Sequence, residues 1–468
     1  MKYDLAIIGA GSGGLTVAAA AAQFGRKVVL FEPGKMGGDC LNFGCVPSKA
    51  LLAAAKHAHM ARQARRYGVM VPEPAVDFTK VYAHVHAAIA AIAPNDSQER
   101  FEGLGVKVVR APARFVDRAS IEAAGEVFTA RRFVIATGSR AAIPDIPGLA
   151  EIPYFTNETL FDNQGLPDHL LIIGGGPIGI EMAQAYRRLG SRVSVIEAFE
   201  PLNKEDPELA AVILKSLAQE GVEIFSGKKI GSIARNGTGI SIHTANGSTI
   251  TGSHLLVAAG RQTNTEGLNL KAAGIAFTPK GITVNDGLKT TNRRVYAIGD
   301  MAGGPQFTHL AAYHAGLVVR NALFGLPVST RGAAMPRVTF TDPELAQVGL
   351  TEAEAKALHG DAVTGLRLPF HDNDRAQAEA AVEGMVKAII GKRGRILGVG
   401  IAGAQAGELI QPWVLAMNEG LKIKSLVDMV CPYPTRGEAN RRAALKYFSG
   451  LATNPWVRSV IDLVGRLG

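Results

Sequence analysis

At 468 residues the chain exceeds one ordinary hydrophobic core and should divide into about two to four domains. Apolar residues make up 47% and charged residues 19%, with no low-complexity tract or long like-charge block, which excludes a disordered or fibrous protein. Three cysteines exclude a disulfide scaffold and fit a reducing cytoplasm, and the net charge of +9 comes from scattered bases without a basic-aromatic module, which argues against a nucleic-acid partner.

The chain opens with an apolar strand, Tyr3 to Ile8, then Gly9-Ala10-Gly11-Ser12-Gly13-Gly14 and an alanine-rich helix. A second strand, Lys27 to Phe31, ends in Glu32. In this pattern Gly9 makes a tight turn, Gly11 lets backbone approach a pyrophosphate, and Gly14 permits close packing of helix on strand. The pyrophosphate then faces the helix N-terminus, whose free N–H groups and dipole favour negative charge. Glu32 is placed to accept hydrogen bonds from ribose hydroxyls. Leu5 to Gly25 carries no charge and could pass for a signal peptide or membrane span; its glycines, with Asp4 ahead, argue against both.

Next comes Gly38-Asp39-Cys40-Leu41-Asn42-Phe43-Gly44-Cys45-Val46-Pro47-Ser48-Lys49, just before a helix-forming run from Ala50 to Arg66. The thiolate is the reactive form of cysteine, and a helix N-terminus with a nearby lysine favours it. The loop between Cys40 and Cys45 can let the sulfurs meet and bond, which would store two electrons. Zinc is a poor alternative, because no second C-x-x-C pair completes four ligands. Two coincidental buried cysteines are the other reading.

The cradle pattern then recurs. Leu170 to Ile173 is a strand, Gly174-Gly175-Gly176-Pro177-Ile178-Gly179 a turn, Glu181 to Leu189 a helix, and Arg192 to Ile196 a strand ending in Glu197. A carboxylate there favours a ribose 2′-hydroxyl over a 2′-phosphate, so NADH is preferred while NADPH stays open. Two cradles imply two dinucleotides, most simply a flavin one and a nicotinamide one; the alternative makes one of them a bare strand-helix turn. Phe133 to Ser139, with Thr137 and Gly138, and Leu255 to Arg261, with Gly260, are apolar strands ending in small-residue turns that would close each sheet beside its nucleotide. Val295 to Asp300 is a strand whose final aspartate could bind a flavin ribityl chain or simply cap a helix.

This run of motifs resembles the pyridine nucleotide-disulfide oxidoreductases, which include lipoamide dehydrogenase, glutathione reductase and mercuric reductase, over essentially the whole chain. The resemblance implies an α/β fold: two Rossmann-like dinucleotide-binding domains, for FAD and NAD(P), plus a C-terminal α+β dimerisation domain. It sets an FAD domain at 1–148, an NAD(P) domain at 149–268, a segment completing the FAD domain at 269–335 and an interface domain at 336–468. The opening of the last is carried by Val338-Thr339-Phe340-Thr341-Asp342-Pro343-Glu344. Gly9, Gly11, Gly14, Glu32 and Asp300 would hold FAD, and Gly174, Gly176, Gly179 and Glu197 the nicotinamide cofactor. Lys49 and Glu181 match the ion pair beside the flavin. By the same likeness, electrons pass from NAD(P)H through FAD to a Cys40–Cys45 disulfide, with Cys45 nearer the flavin and Cys40 attacking a small disulfide, thiol or soft metal-ion substrate. Each active site is completed by the other subunit of a homodimer.

The chain departs from the pattern near its C-terminus. Lipoamide dehydrogenase and glutathione reductase carry H-P-T-x-x-E, whose histidine moves the thiol proton and whose glutamate orients it; here Tyr433-Pro434-Thr435-Arg436-Gly437-Glu438 stands in that place. With a pKa of about 10 against about 6.5, tyrosine is a poor base at neutral pH but a sound donor. Mercuric reductase also reads Pro-Tyr there, although the cysteine pair at its C-terminus and its N-terminal metal-binding domain have no counterpart in this chain. The expected enzyme is therefore mercuric reductase-like; the alternatives are a dihydrolipoamide dehydrogenase with an altered proton shuttle and a low-activity flavoprotein with a binding role. Cys431 is either an auxiliary thiol for substrate or soft metal or a small buried apolar residue. Pro177 occupies the place of a tyrosine that gates the nicotinamide pocket in several relatives. No resident metal site is expected. From Asn454 on, Trp456, Val457, Val460, Ile461, Val464 and Leu467 fall near helical spacing, more in keeping with a helix packed on the dimer than with a membrane contact.

Overall fold

A computed structural model describes residues 2–237 and 239–466, so Leu467 and Gly468 lie outside the described residues. Two compact units emerge. One joins the described residues up to Ala198 with Glu223–Arg331, and the other joins Phe199–Val222 with those from Gly332 on.

The first unit is built twice on one plan. Strands Lys107–Val109, Val28–Phe31, Lys2–Ile8 and Glu126–Ile135 lie side by side in parallel, and Val295–Ala297 adds to the far edge. Leu5, Ile7, Leu30 and Val134 feed one buried face; Ala6, Ile8, Val29, Phe31, Phe133 and Ile135 feed the other. Burial on both faces is why these strands read as unbroken apolar runs rather than alternating ones. The second sheet repeats the order with Glu223–Phe225, Arg192–Ile196, His169–Ile173 and His254–Val257. Each sheet also carries a short antiparallel insertion: Ala113–Phe115 with Ser120–Ala123 in the first, and Ile230–Asn236, Gly239–Thr244 and Thr249–Gly252 beside the second.

Two helices begin earlier than their apolar spacing suggests. Cys45–Gln63 starts at the second cysteine rather than at Ala50, and Pro177–Leu189 starts at Pro177 rather than at Glu181. In both, a proline sits in the first turn, where its missing N–H has no intrahelical partner to lose.

The second unit is a five-stranded antiparallel sheet in the order Arg337–Thr339, Glu344–Gly349, Ile396–Gly403, Met385–Ile390, Thr364–Pro369. Its core closes around Trp413, whose indole N–H donates to Asn440 at 2.9 Å. The helix Pro207–Gln219 belongs here, although by sequence it connects two strands of the second parallel sheet. A buried charge cluster explains the grouping. Lys387 lies 2.8 Å from Asp206, 2.9 Å from Glu208 and 3.1 Å from Glu352, and Arg367 bonds Glu208 and Glu352 from the other side. The C-terminal helix Pro455–Gly465 has no buried residue. Among the described residues no helix is long and apolar enough to cross a membrane.

Candidate functional site

The two glycine turns have nearly the same backbone. Gly9 and Gly174 take φ values of +105° and +110°, and a Cβ on either would lie 2.4 Å from a carbonyl oxygen, of Ala136 and Ala258 respectively. A Cβ on Gly14 would fall 1.9 Å from the Gly9 oxygen, and one on Gly179 would fall 2.0 Å from the Gly174 oxygen. These four glycines are demanded by the chain's own packing. Gly11 and Gly176 are not: a Cβ on Gly176 would meet nothing within 4 Å, and one on Gly11 only the Gly38 Cα at 4.0 Å. Their bareness suits a phosphate brought against the helix N-termini of Ser12–Gln23 and Pro177–Leu189, so the residues present fit dinucleotides at both cradles. The acidic strand ends match as well. Glu32 accepts from the Ala10 N–H at 2.8 Å and the Gly34 N–H at 2.7 Å, and Glu197 accepts from the Gly175 N–H at 2.6 Å.

The cysteine loop packs on the first cradle. Cys40 lies in the short helix Gly38–Asn42 and Cys45 is the first residue of Cys45–Gln63, at the positive end of its dipole. The thiols hydrogen-bond each other, with Cys40 donating. That bond, the Thr308 hydroxyl 3.2 Å from the Cys45 sulfur and the charge of Lys49 bring the Cys45 thiol down to about 6, against the opposing pull of burial. Cys40 is held well above the usual thiol range because it keeps the shared proton and is partly buried. Lys49 in turn bonds Glu181 at 2.8 Å, and Glu181 is only 5% exposed on the helix of the second cradle.

A chain of polar contacts joins the strand ends. Asn157 donates to Asp39 at 2.9 Å, Arg261 reaches Asp39 at 3.2 Å and the Ser139 hydroxyl at 2.8 Å, and Ser139 donates to Asp300 at 2.5 Å. Asp300 is no helix cap; it lies inside the single turn Gly299–Ala302, and burial raises its pKa against the pull of Ser139 and Arg261. Thr137 and Gly138 are tied to Asn264: Thr137 Oγ1 donates to the Asn264 oxygen at 3.0 Å, and the Gly138 oxygen accepts from the Asn264 N–H. Gly260, at φ +122°, leads into Arg261–Thr263, which pairs with Ser139–Ala141. The sequence reading missed Thr308, Ser139, Asp39, Asn157 and Asn264, because no contiguous motif marks partners that lie a hundred or more residues from those they touch.

The C-terminal candidates belong to the second unit. Tyr433 is 69% exposed and donates its hydroxyl to Asp374 at 2.9 Å, which with the Asp374 charge holds the phenol above its ordinary range. Asp374 thus takes the bond that the family pattern assigns to a glutamate. Glu438 heads the helix Glu438–Leu445, and its Oε2 is buried with no hydrogen-bond partner among the described residues. Asn373, fully buried, donates to the Thr435 oxygen at 3.1 Å, and Arg436 grips Glu379 at 2.7 Å, so the segment is anchored just after Pro434. Burial and the Glu438 charge raise the Cys431 thiol, with Arg441 opposing them.

Comparison with known proteins agrees with this geometry. The family model described as pyridine nucleotide-disulphide oxidoreductase matches residues 3–315, and that of the family's dimerisation domain matches 335–444. The chain belongs to the pyridine nucleotide-disulphide oxidoreductase family. It is a flavin-dependent oxidoreductase that takes electrons from a reduced pyridine nucleotide, and its dimerisation domain indicates a homodimer. Within that family it is 37% identical over 462 residues to a mercuric reductase of Streptomyces lividans, covering 96% of this chain and 97% of the other. It is also 37% identical to a dihydrolipoyl dehydrogenase of Thermus scotoductus, covering 94% and 96%. Among solved structures, the copper(II) complex of RclA, an HOCl-induced flavoprotein disulfide reductase from Escherichia coli, superposes with a TM-score of 0.85 at 28% identity, covering 94% of this chain and 99% of that one.

Proposed function

We propose that this oxidoreductase uses NADH to reduce a soft metal ion or a small disulfide at the Cys40–Cys45 pair, in the manner of mercuric reductase. The flavin supplies the two-electron link between a reduced nicotinamide and this dithiol. The observation that carries the reading is the setting of the cysteine pair: Cys45 heads the helix Cys45–Gln63, with the Thr308 hydroxyl 3.2 Å from its sulfur, and the Lys49 charge adds to a setting that favours its thiolate. Cys40 would meet the substrate, and Lys49 with Thr308 would hold the Cys45 charge. Gly9, Gly11, Gly14, Glu32, Thr137, Gly138 and Asp300 would hold FAD; Gly174, Gly176, Gly179, Glu197 and Gly260 would serve the nicotinamide side, and Arg261, bonded to Asp39 and Ser139, would be a further cofactor-binding residue. Glu197 supports NADH over NADPH, since its carboxylate stands where a 2′-phosphate would bring like charge.

Tyr433 supports the metal-ion substrate. Binding a mercuric or cupric ion displaces the Cys40 proton to solvent; the two thiolates then form the S–S bond as two electrons leave for metal, one mercuric or two cupric ions, and no proton has to be delivered to a leaving sulfur. Thiol-disulfide exchange needs a proton delivered to the leaving sulfur, and losing a positioned acid-base group costs about 10²- to 10⁴-fold. Tyr433 already donates its proton to Asp374, so it offers lone pairs rather than a base. The test is NADH and NADPH consumption with mercuric and cupric ions, lipoamide, glutathione disulfide, quinones and oxygen, in the wild type and in Cys40→Ser. Turnover should be fastest with a metal ion, favour NADH and vanish in Cys40→Ser; metal turnover that survives the substitution refutes the reading.

The Thermus relative favours a second reading, a dihydrolipoamide dehydrogenase with an altered shuttle. Under it, Tyr433→His should raise dihydrolipoamide oxidation substantially, and no gain counts against it.

A further inference from the structure

One edge of the first unit carries charge that neither cradle uses. Lys2 opens the strand Lys2–Ile8, Lys27 directly precedes Val28–Phe31, Arg131 and Arg132 lie in Glu126–Ile135, and Arg294 directly precedes Val295–Ala297. These strands are parallel neighbours, so bases that look scattered along the sequence gather beside one another toward the edge where the strands begin. The glycine turns proposed to hold the dinucleotides lie at the opposite edge, at the strand ends; Lys2 and Gly9 stand about 23 Å apart at roughly 3.3 Å per residue.

The five cations line a cavity of about 570 Å³ that holds one carboxylate, Asp4. An adjoining cavity of about 250 Å³ shares Asp4 and Arg131, adds Arg26, and is walled by Phe24, Leu323 and Phe324. The two phenyl rings meet edge to face at 5.0 Å, and each is more than half exposed. Asp4 is engaged by the Lys27 backbone N–H at 3.0 Å. Among the described residues none of Lys2, Arg26, Lys27, Arg131, Arg132 and Arg294 pairs with a carboxylate, and Arg132 Nε is buried without a hydrogen-bond partner. Unpaired like charges in a concave site repel one another and raise a positive potential that an anion relieves.

We propose that this cleft binds a nucleoside polyphosphate, with its phosphates among the Arg131, Arg132 and Arg294 guanidinium groups and its base against Phe24 and Phe324. Guanidinium forks match phosphate oxygens two at a time, and exposed rings offer a stacking face. The larger chamber alone falls in the range of about 300–1,000 Å³ typical of small-molecule sites. The site is separate from both cradles and independent of the proposed reaction.

The test is calorimetric titration of the FAD-loaded full chain with ATP. One ATP should bind per chain, more weakly as salt rises. Arg131→Glu with Arg294→Glu should weaken binding at least about tenfold, the loss expected when charge-assisted hydrogen bonds to phosphate are removed. Phe24→Ala with Phe324→Ala should weaken it about threefold or more. All four side chains are exposed, so flavin absorbance and melting temperature should stay at wild-type values; Arg131→Gln, milder still, should show a smaller loss in the same direction. Any of four results would overturn the proposal: no ATP binding by the wild type, unchanged affinity in the folded double glutamate variant, displacement of ATP by NADH one for one, or tighter binding of a single-stranded oligonucleotide than of ATP.

Discussion

The two cradles share one turn and differ in what stands behind it. Behind Gly11 lies the cysteine loop, close enough that a Cβ on Gly38 would fall 2.7 Å from the Gly11 Cα; behind Gly176 lies the helix that carries Glu181 toward Lys49. The duplicated turn therefore fixes where two pyrophosphates can lie, while the chemistry is set by the residues that follow each turn. A fold can repeat a binding element at little cost and specialise through its neighbours.

The sharpest way to break that comparison is to fill one cradle at a time. Gly14→Ala places a methyl 1.9 Å from a backbone oxygen, and Gly179→Ala places one 2.0 Å away. Neither helix can yield without moving off its strand. Gly14→Ala should be purified without yellow absorbance, whereas Gly179→Ala should stay yellow and show a KM for NADH raised about 10- to 100-fold, the scale of an overpacking penalty of about 1–3 kcal/mol. If both variants lost the same ligand, the division between the cradles would fail.

A second test removes the contact that links the second helix to the cysteine loop. Lys49→Met takes a cation from beside Cys45 and removes the 2.8 Å bond to the buried Glu181. Iodoacetamide labelling of reduced wild-type Cys45 should rise with pH around a midpoint near 6, because the thiolate is the reacting form. In Lys49→Met the midpoint should move up, and Thr308→Val should move it the same way by less.

Outside the cradles the expected effects are smaller. Burial drives the His314 imidazole down to about 4, and its Nδ1 accepts from the Gly299 N–H beside Asp300. The unfolded chain takes up that proton near pH 6.5 and the native one only near 4, so His314 stabilises the fold fully above about pH 6.5 and less as pH falls toward 4. The melting temperature of His314→Gln should therefore vary less with pH across that window than that of the wild type. Asp374→Asn should lower the Tyr433 pKa toward its ordinary value and change metal-ion turnover only several-fold, with the phenol titration read by ultraviolet absorbance.

Contiguous features were legible in the sequence: both glycine turns, both acidic strand ends, the cysteine pair and the order of strands around them. Helix starts were not, because Pro47 and Pro177 look like breakers yet occupy first turns that tolerate them. Partners distant along the chain were not legible either. Thr308 reaches Cys45 across 263 positions, and Ser139 reaches Asp300 across 161, contacts set by how the sheets close. The assignment of Pro207–Gln219 to the second unit rests on Lys387, a buried cation inside an apolar strand whose carboxylates no local pattern announces.

The most direct measurement counts thiols across reduction. Oxidised enzyme would be titrated anaerobically with NADH, quenched with iodoacetamide and examined by mass spectrometry at Cys40, Cys45 and Cys431. Neither Cys40 nor Cys45 should take label before NADH, and both should do so after one equivalent while Cys431 stays constant. Full labelling of the pair in oxidised enzyme, or a bleached flavin with no new thiols, would contradict a dithiol relay at this site.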